Sequence, residues 1–562
     1  LIPNSAGTRV SGRLNVDQKI NDWLKVGVNT SLQFSREDGP NVGGILLTSI
    51  TTSPLGQVYN EDGSLRYLPG GFEENKNPLI DLDETNNRSD SRNDIVNIFA
   101  DLALFKGLNY RVNASRRSWN NKQRGYNTTK SITGVTRGSV GSGFIYFQDN
   151  EEWQVENILT FATKFGTDKH NLDLTAVQAA SETKYTNFRN NVDQVPNDIL
   201  GINGLEAALT NIPTIAASRS GLVSFAARSE YSYDSRYYLS LSARADGSTK
   251  FGVNNKWGYF PAVGVSWNAH NESFLREVTG INLLKFSSSY GSIGNQTINA
   301  GGTLTSGVQR DYILGGQQVS GLIPGDQLAN PDLKWETLTT FNVKMDFGFL
   351  SNRINGTVEW YDGRTKDMLQ REALPTGLGY TNRFVNKGEL QNTGIESSLN
   401  LGVVRTNDFQ MNLGFIFTKN TNKLLSLGGV DGDGDGREDD NVGNRWFIGR
   451  SLGGSFQRMG IGIFQEGEDI VNSAQPDAMP GDIRQLDVNG DGIINDEFDR
   501  VFTPGVEDWY VTVSLNMEYK GIDFSANVNI VEGRTRFNNF LVGYSEGGSL
   551  RGIKNGIKQD YW

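Results

Sequence analysis

The residues best equipped for chemistry in this 562-residue chain form one run, DVNGDGIINDEFD at 487–499. Oxygen donors at alternate positions, then a glycine, match the first half of a calcium-wrapping loop, since calcium takes six to eight hard oxygens. The spacing assigns the side chains of Asp487, Asn489 and Asp491, with the carbonyl of Ile493, as ligands. The twelfth position, where such loops place a bidentate acid, is Phe498; Asp499 falls one residue late and Asp496 two early. A weaker copy of the same opening is Asp431-Gly-Asp433-Gly-Asp435-Gly436, followed by Asp439 and Asp440. Carboxylates this close repel one another unless a cation lies between them. The alternative for both runs is a solvated Asn/Gly/Asp turn.

Other chemistry finds little support. Gly543-Tyr-Ser545-Glu-Gly547 fits the G-x-S-x-G elbow of hydrolases, but that order needs a histidine after the serine. The two histidines, His170 and His270, both precede it and sit among turn-like polar residues, where solvation is the simpler role. The chain has no cysteine, which excludes a disulfide scaffold, thiolate zinc and a cysteine nucleophile. P-loop, H-E-x-x-H and dinucleotide fingerprints are absent. A net charge of −11 argues against a phosphate-backbone partner, so no nucleic acid is expected. The expectation is a protein that is not an enzyme and has no organic cofactor.

The elements that must position these residues alternate with period two almost throughout. Val511, Val513, Leu515, Met517 and Tyr519 alternate with polar residues, Gly521 interrupts, and Ile522, Phe524, Ala526, Val528 and Ile530 resume. Phe341–Phe349 turns at Ser351-Asn352 into Ile354, Val358 and Trp360, and Ile395–Val403 turns at Asn407-Asp408 into Phe409–Phe417. About 17 strands are expected, many longer than the usual ~5–6 residues. Turns such as Lys106-Gly107 are short, whereas 37–90, 293–334 and 422–451 read as long connections rich in Gly, Asn, Asp and Pro. Short turns at one end and long loops at the other, with no apolar run of ~18 residues, predict a large antiparallel transmembrane β-barrel, an all-β fold. A soluble β-sandwich array, a propeller or a β-helix is the competing reading, and no blade period is visible.

Several phrases together resemble one family. Arg244-Ala-Asp-Gly-Ser-Thr-Lys-Phe-Gly252, Trp257-Gly-Tyr-Phe-Pro-Ala262, Tyr290-Gly-Ser-Ile-Gly-Asn-Gln296, Asn330-Pro-Asp-Leu-Lys-Trp-Glu336 and Asn386-Lys-Gly-Glu-Leu-Gln-Asn-Thr-Gly-Ile-Glu396 are similar to the barrel phrases of SusC/RagA-type TonB-dependent transporters. Pro480-Gly-Asp482 leading into Asp487–Gly492 resembles that family's PGD…DxNGDG segment, with the last acid displaced.

The resemblance implies a 22-stranded family barrel, of which residues 1–562 would be a part with long extracellular loops. The N-terminal plug and the last strands would lie outside this chain. It implies TonB-dependent import of oligosaccharides or peptides across the outer membrane of a Gram-negative bacterium. The implied partners are a SusD-like surface lipoprotein, the TonB complex acting through the plug, and membrane lipid or lipopolysaccharide, with transporter–lipoprotein pairs able to dimerise. The runner-up is a barrel used as a docking platform for surface proteins, and a soluble calcium-binding adhesin comes third.

Overall fold

The computed structural model describes residues 4–40, 56–69, 76–432 and 434–538. Sixteen long strands form one sheet in which chain neighbours are sheet neighbours. They are β1 (Ala6–Lys19), β2 (Leu24–Gly39), β3 (Thr85–Phe105), β4 (Leu108–Asn127), β5 (Gly141–Phe165), β6 (His170–Val195), β7 (Thr210–Tyr233), β8 (Tyr237–Ser248), β9 (Trp257–Asn268) and β10 (Ile281–Asn295). A two-stranded hairpin, β11 (Gly307–Leu314) and β12 (Gln317–Pro324), then precedes β13 (Glu336–Phe349) and β14 (Ile354–Lys366). The short pair β15 (Leu369–Ala373) and β16 (Asn382–Asn386) leads to β17 (Glu389–Arg405) and β18 (Phe409–Ser426). An insertion carries β19 (Ser455–Gln457), β20 (Gly460–Ile463), β21 (Ile483–Gln485) and β22 (Val501–Thr503), and the sheet resumes with β23 (Trp509–Tyr519) and β24 (Ile522–Glu532). Two compact units are distinguished: one takes in residues 4–159 and 177–223 with 537–538, the other 160–176 and 224–536.

In the first unit the β1–β4 register builds rungs of side chains on one face. Val16–Val28–Ile98–Ala114 and Gln18–Val26–Ala100–Val112 are successive rungs. The intervening positions, such as Asn15–Asn29–Asn97–Ser115, occupy the opposite face. This follows from the period of two, because successive side chains leave a strand on opposite sides. The apolar face is not covered: Val10 is 62% exposed and Leu14 57%. An uncovered apolar band opposite a polar face is what a strand bearing lipid on one side and water on the other requires.

The second unit repeats the pattern over more strands. Tyr237, Trp267, Phe286, Met345, Val358, Ser397, Phe417, Val511 and Ile530 form one continuous rung. The next rung, on the other face, is Tyr238, Ser266, Ser287, Lys344, Glu359, Glu396, Thr418 and Tyr510. The turns at Gly107, Thr167-Asp168, Asp234-Ser235, Ser351-Asn352 and Lys520-Gly521 all contain positive φ. That left-handed backbone matches tight connections to the strand twist.

Among the described residues the sheet has sixteen strands, in keeping with the about 17 expected, and β5 and β6 run to 25 and 26 residues. Two expectations change in detail. The connection expected at 37–90 is shorter, because β3 already starts at Thr85. The break expected at 422–451 is part of a longer insertion, from Leu427 to Asp508. Beyond the apolar band both faces of a strand are polar, so the alternation that marks a strand fades while its hydrogen bonding continues.

Candidate functional site

The phrases that carry the family resemblance meet in one packed cluster of the second unit, at the end of the strands where the long connections lie. Phe251 is 2% exposed and packs at a tilt against Trp335 with ring centres 4.7 Å apart; Phe260 meets the same indole edge-on at 5.5 Å. The indole Nε1 donates to the carbonyl of Lys256 at 3.0 Å, so the buried ring keeps no orphan donor. Leu333 is fully buried, and its carbonyl accepts the Gly252 N–H at 3.0 Å. A side chain at residue 252 would run into the carbonyl of Pro331, which explains the glycine there. Ser248 donates to Gln296 Oε1 at 2.7 Å, fastening β8 to the end of β10.

Asn386 and Asn330 tie the two following connections together. The Asn386 amide donates to the carbonyls of Lys334 (2.8 Å) and Asp367 (2.9 Å), and its oxygen accepts the Lys334 N–H at 2.8 Å. Asn330 donates to the Phe384 carbonyl at 2.8 Å. The cluster contains no nucleophile–base pair. It holds loops rather than transforming a ligand.

The acid-rich runs both lie in the insertion between β18 and β23. Asp487 accepts the N–H groups of Gly490 (2.7 Å) and Gly492 (2.9 Å), Asp491 accepts that of Ile493 (2.8 Å), and the Asn489 amide donates to Asp491 (2.9 Å). Asp499 is fully buried and accepts the N–H groups of Val488 (2.9 Å) and Asn495 (2.7 Å). Those two bonds outweigh desolvation and hold its carboxyl below the ordinary aspartate range. Asp431 repeats the arrangement, accepting from Gly434 (2.8 Å) and Gly436 (3.1 Å), while Asp435 accepts from Arg437 and Asp439 from Gly432. Asp433 lies outside the described residues. Among the described residues no three acids or histidines converge on a point where they could hold a metal. Backbone N–H groups relieve the carboxylate repulsion for which the spacing invoked a cation.

His170 is more engaged than its polar neighbours suggest. Its ring stacks on Phe165 at 4.9 Å, and Nδ1 lies 2.7 Å from the Tyr231 hydroxyl. Nearby, Glu272 accepts from Tyr237 (2.5 Å), Arg236 (2.8 Å) and Trp267 (3.1 Å), bonds that keep its carboxyl ionised to lower pH than usual. These residues brace the short-turn end. The Gly543–Gly547 motif lies outside the described residues.

On the polar face of the second unit a cavity of about 490 Å³ has a floor of Ser240, Gly264, Ser266 and Ser287, with Lys344 and Glu359 alongside. Sequence reasoning gave the alternation but not this cavity, whose signal is the run of small residues at matched register positions.

Residues 29–544 match the family described as TonB dependent receptor-like, beta-barrel. TonB-dependent receptor P26 of Formosa agariphila is 28% identical over 539 residues, covering 94% of this chain and 53% of that protein. TonB-dependent receptor SusC of Bacteroides thetaiotaomicron is 30% identical over 335 residues, 58% of this chain and 32% of that protein. Among solved structures, the RagAB peptide transporter superposes with a TM-score of 0.79 at 21% identity, covering 98% of this chain and 61% of that chain. The chain thus spans about half the length, or less, of the named relatives it matches.

Proposed function

The chain belongs to the TonB-dependent receptor-like β-barrel family, and on that premise we propose that the protein to which it contributes imports nutrient oligomers, oligosaccharides or peptides, across the outer membrane. The chain is an outer-membrane β-barrel segment and not an enzyme. The observation that carries the reading is the pair of faces: an exposed apolar band for lipid, backed by a polar face of serine, asparagine, lysine and glutamate that offers hydrogen bonds to a passing polar chain. Import against a gradient needs energy, which the family name places in TonB. A SusD-like lipoprotein would cover the long-connection end, as the likeness to SusC and RagAB supports. The Trp335 cluster would keep the loops in place while cargo passes.

A hard divalent cation at 487–499 is a second, separable proposal. What supports it is the sequence run that brings Asp487, Asn489, Asp491, Ile493 and Asp499 within residues 487–499, with Asp431, Asp433 and Asp435 opening a similar run. No step of transport is routed through it. The import reading is tested by deleting the gene's barrel region in its host and following uptake of labelled oligosaccharide and peptide pools.

A further inference from the structure

Charge is spread unevenly over the polar face of the first unit. Along β1–β4 that face runs through the rungs Arg9–Ser35–Ser91–Asn121, Ser11–Gln33–Asn93–Trp119, Arg13–Ser31–Ile95–Arg117 and Asn15–Asn29–Asn97–Ser115. These four rungs hold three arginines and no carboxylate, in a chain of net charge −11. Closer to the short turns the same face carries Asp17 and Asp101, and there each acid has its cation. Lys25 lies 2.8 Å from Asp17, and Arg111 lies 3.4 Å from Asp101. Arg9, Arg13 and Arg117 are exposed and, among the described residues, form no ion pair; Arg9 donates to the Gln33 amide oxygen instead.

Their spacing says what kind of anion they suit. Arg9 and Arg13 lie on the same side of β1, roughly 13 Å apart at ~3.3 Å per residue. Arg13 and Arg117 share a rung across β1–β4, roughly 14 Å apart at ~4.8 Å per strand spacing. Charges so dispersed do not converge on one small anion. They match an extended chain that bears acids at intervals.

The residues between the arginines favour a sugar chain over a peptide. Gln33, Asn93, Asn15, Asn29 and Asn97 each present both a donor and an acceptor, which is what a hydroxyl group also presents. Trp119, one rung from Arg117 on β4, supplies an indole of the kind that packs on the apolar side of a ring while its N–H stays available. Ile95 is the one aliphatic residue of the four rungs, which leaves little for the side chains of a peptide to pack against.

We propose that the cargo is an acidic oligosaccharide, bearing carboxylate or sulfate groups, and that Arg9, Arg13 and Arg117 hold those groups as the chain passes along this face. A guanidinium offers an oxyanion two parallel charge-assisted hydrogen bonds, a geometry that a neutral sugar cannot use. The proposal rests on the import reading and narrows its substrate class.

Uptake by the full-length protein in its native host tests it, with three labelled pools as probes. These are uronate- and sulfate-bearing oligosaccharides, the same oligosaccharides after carboxyl reduction and desulfation, and acidic peptides. Barrel-dependent accumulation should favour the acidic oligosaccharides about tenfold over their neutralised form. R13Q/R117Q should abolish that preference at unchanged abundance in the outer membrane, and R13K/R117K should restore part of it. Equal accumulation of acidic and neutralised sugars, a preference for the acidic peptides, or an undiminished preference in R13Q/R117Q would overturn the proposal and leave import standing. Accumulation of no pool beyond that of a barrel-deleted strain would overturn import and this proposal together. If the double variant does not assemble, the comparison of the three pools on the wild type decides alone.

Discussion

The ring of Phe99 lies across Gly27, its cross-strand partner on β2, beneath the guanidinium of Arg111 (4.2 Å from the ring centre) and the ammonium of Lys25 (5.7 Å). Phe99 sits on the polar face of the first unit yet is only 5% exposed. The glycine makes room for the ring and the two cations close over it, with Lys25 in turn pairing with Asp17 at 2.8 Å.

This arrangement predicts that Gly27→Ala is costly despite its small size. The added methyl collides with the edge of the Phe99 ring, and overpacking of this kind costs ~1–3 kcal/mol. Urea unfolding in micelles should show that loss. Adding Phe99→Ala should recover part of it, because the two residues are in contact and their effects are not additive. A strictly additive double variant would contradict the packing described.

Trp335→Ala should loosen two connections at once. Removing a buried indole costs ~3–5 kcal/mol, and the cluster around Trp335 anchors both 296–335 and, through Asn386 and Asn330, 367–388. Limited proteolysis should cut both segments faster, while the strands stay resistant. Cleavage confined to 296–335 would show that the asparagine ties do not transmit the change.

The buried carboxylate of Asp499 sets a pH dependence. Its folded-state pKa is lowered by the N–H groups of Asn495 and Val488, so its contribution is present above the unfolded value and is lost as pH falls through the folded one. Protease protection of the insertion should be flat from neutral pH down to about 4, the unperturbed aspartate value, and fall below it. Asp499→Asn should weaken protection at neutral pH and flatten the acid response. An unchanged acid response in the variant would assign it to other groups.

Chelation separates the cation from the turn. If 487–499 holds a divalent ion, a chelator should raise cleavage within the insertion and added calcium should reverse it. No change would mean that backbone N–H groups alone satisfy Asp487, Asp491 and Asp499.

What the residues revealed and what they hid divide along physical lines. Val511–Ile530, Phe341–Trp360 and Ile395–Phe417 were legible as hairpins because one face is apolar and the other polar, and the observed pairs β23–β24, β13–β14 and β17–β18 contain them. The start of β3 was hidden because Arg88, Ser89, Asp90, Ser91 and Arg92 are polar on both faces. The hairpin β11–β12 was folded into a supposed loop, since it pairs only with itself. At the acid runs, spacing revealed the turn around Asp487 but not that Asp499 would be buried against Val488. The convergence of Phe251, Phe260 and Trp335 depends on contacts between residues up to 84 positions apart, which no local pattern encodes.

The central claim is energy-coupled import through the complete protein. The direct measurement is accumulation of labelled oligosaccharide and peptide pools in the native host, with the gene intact, with its barrel region deleted, and with the inner-membrane proton gradient collapsed. The account predicts that accumulation of one pool is lost in both the deletion and the de-energised cells, while surface binding persists in the latter. Undiminished accumulation of both pools in the deletion strain, under conditions where the intact protein is abundant in the outer membrane, would contradict it and favour a docking platform.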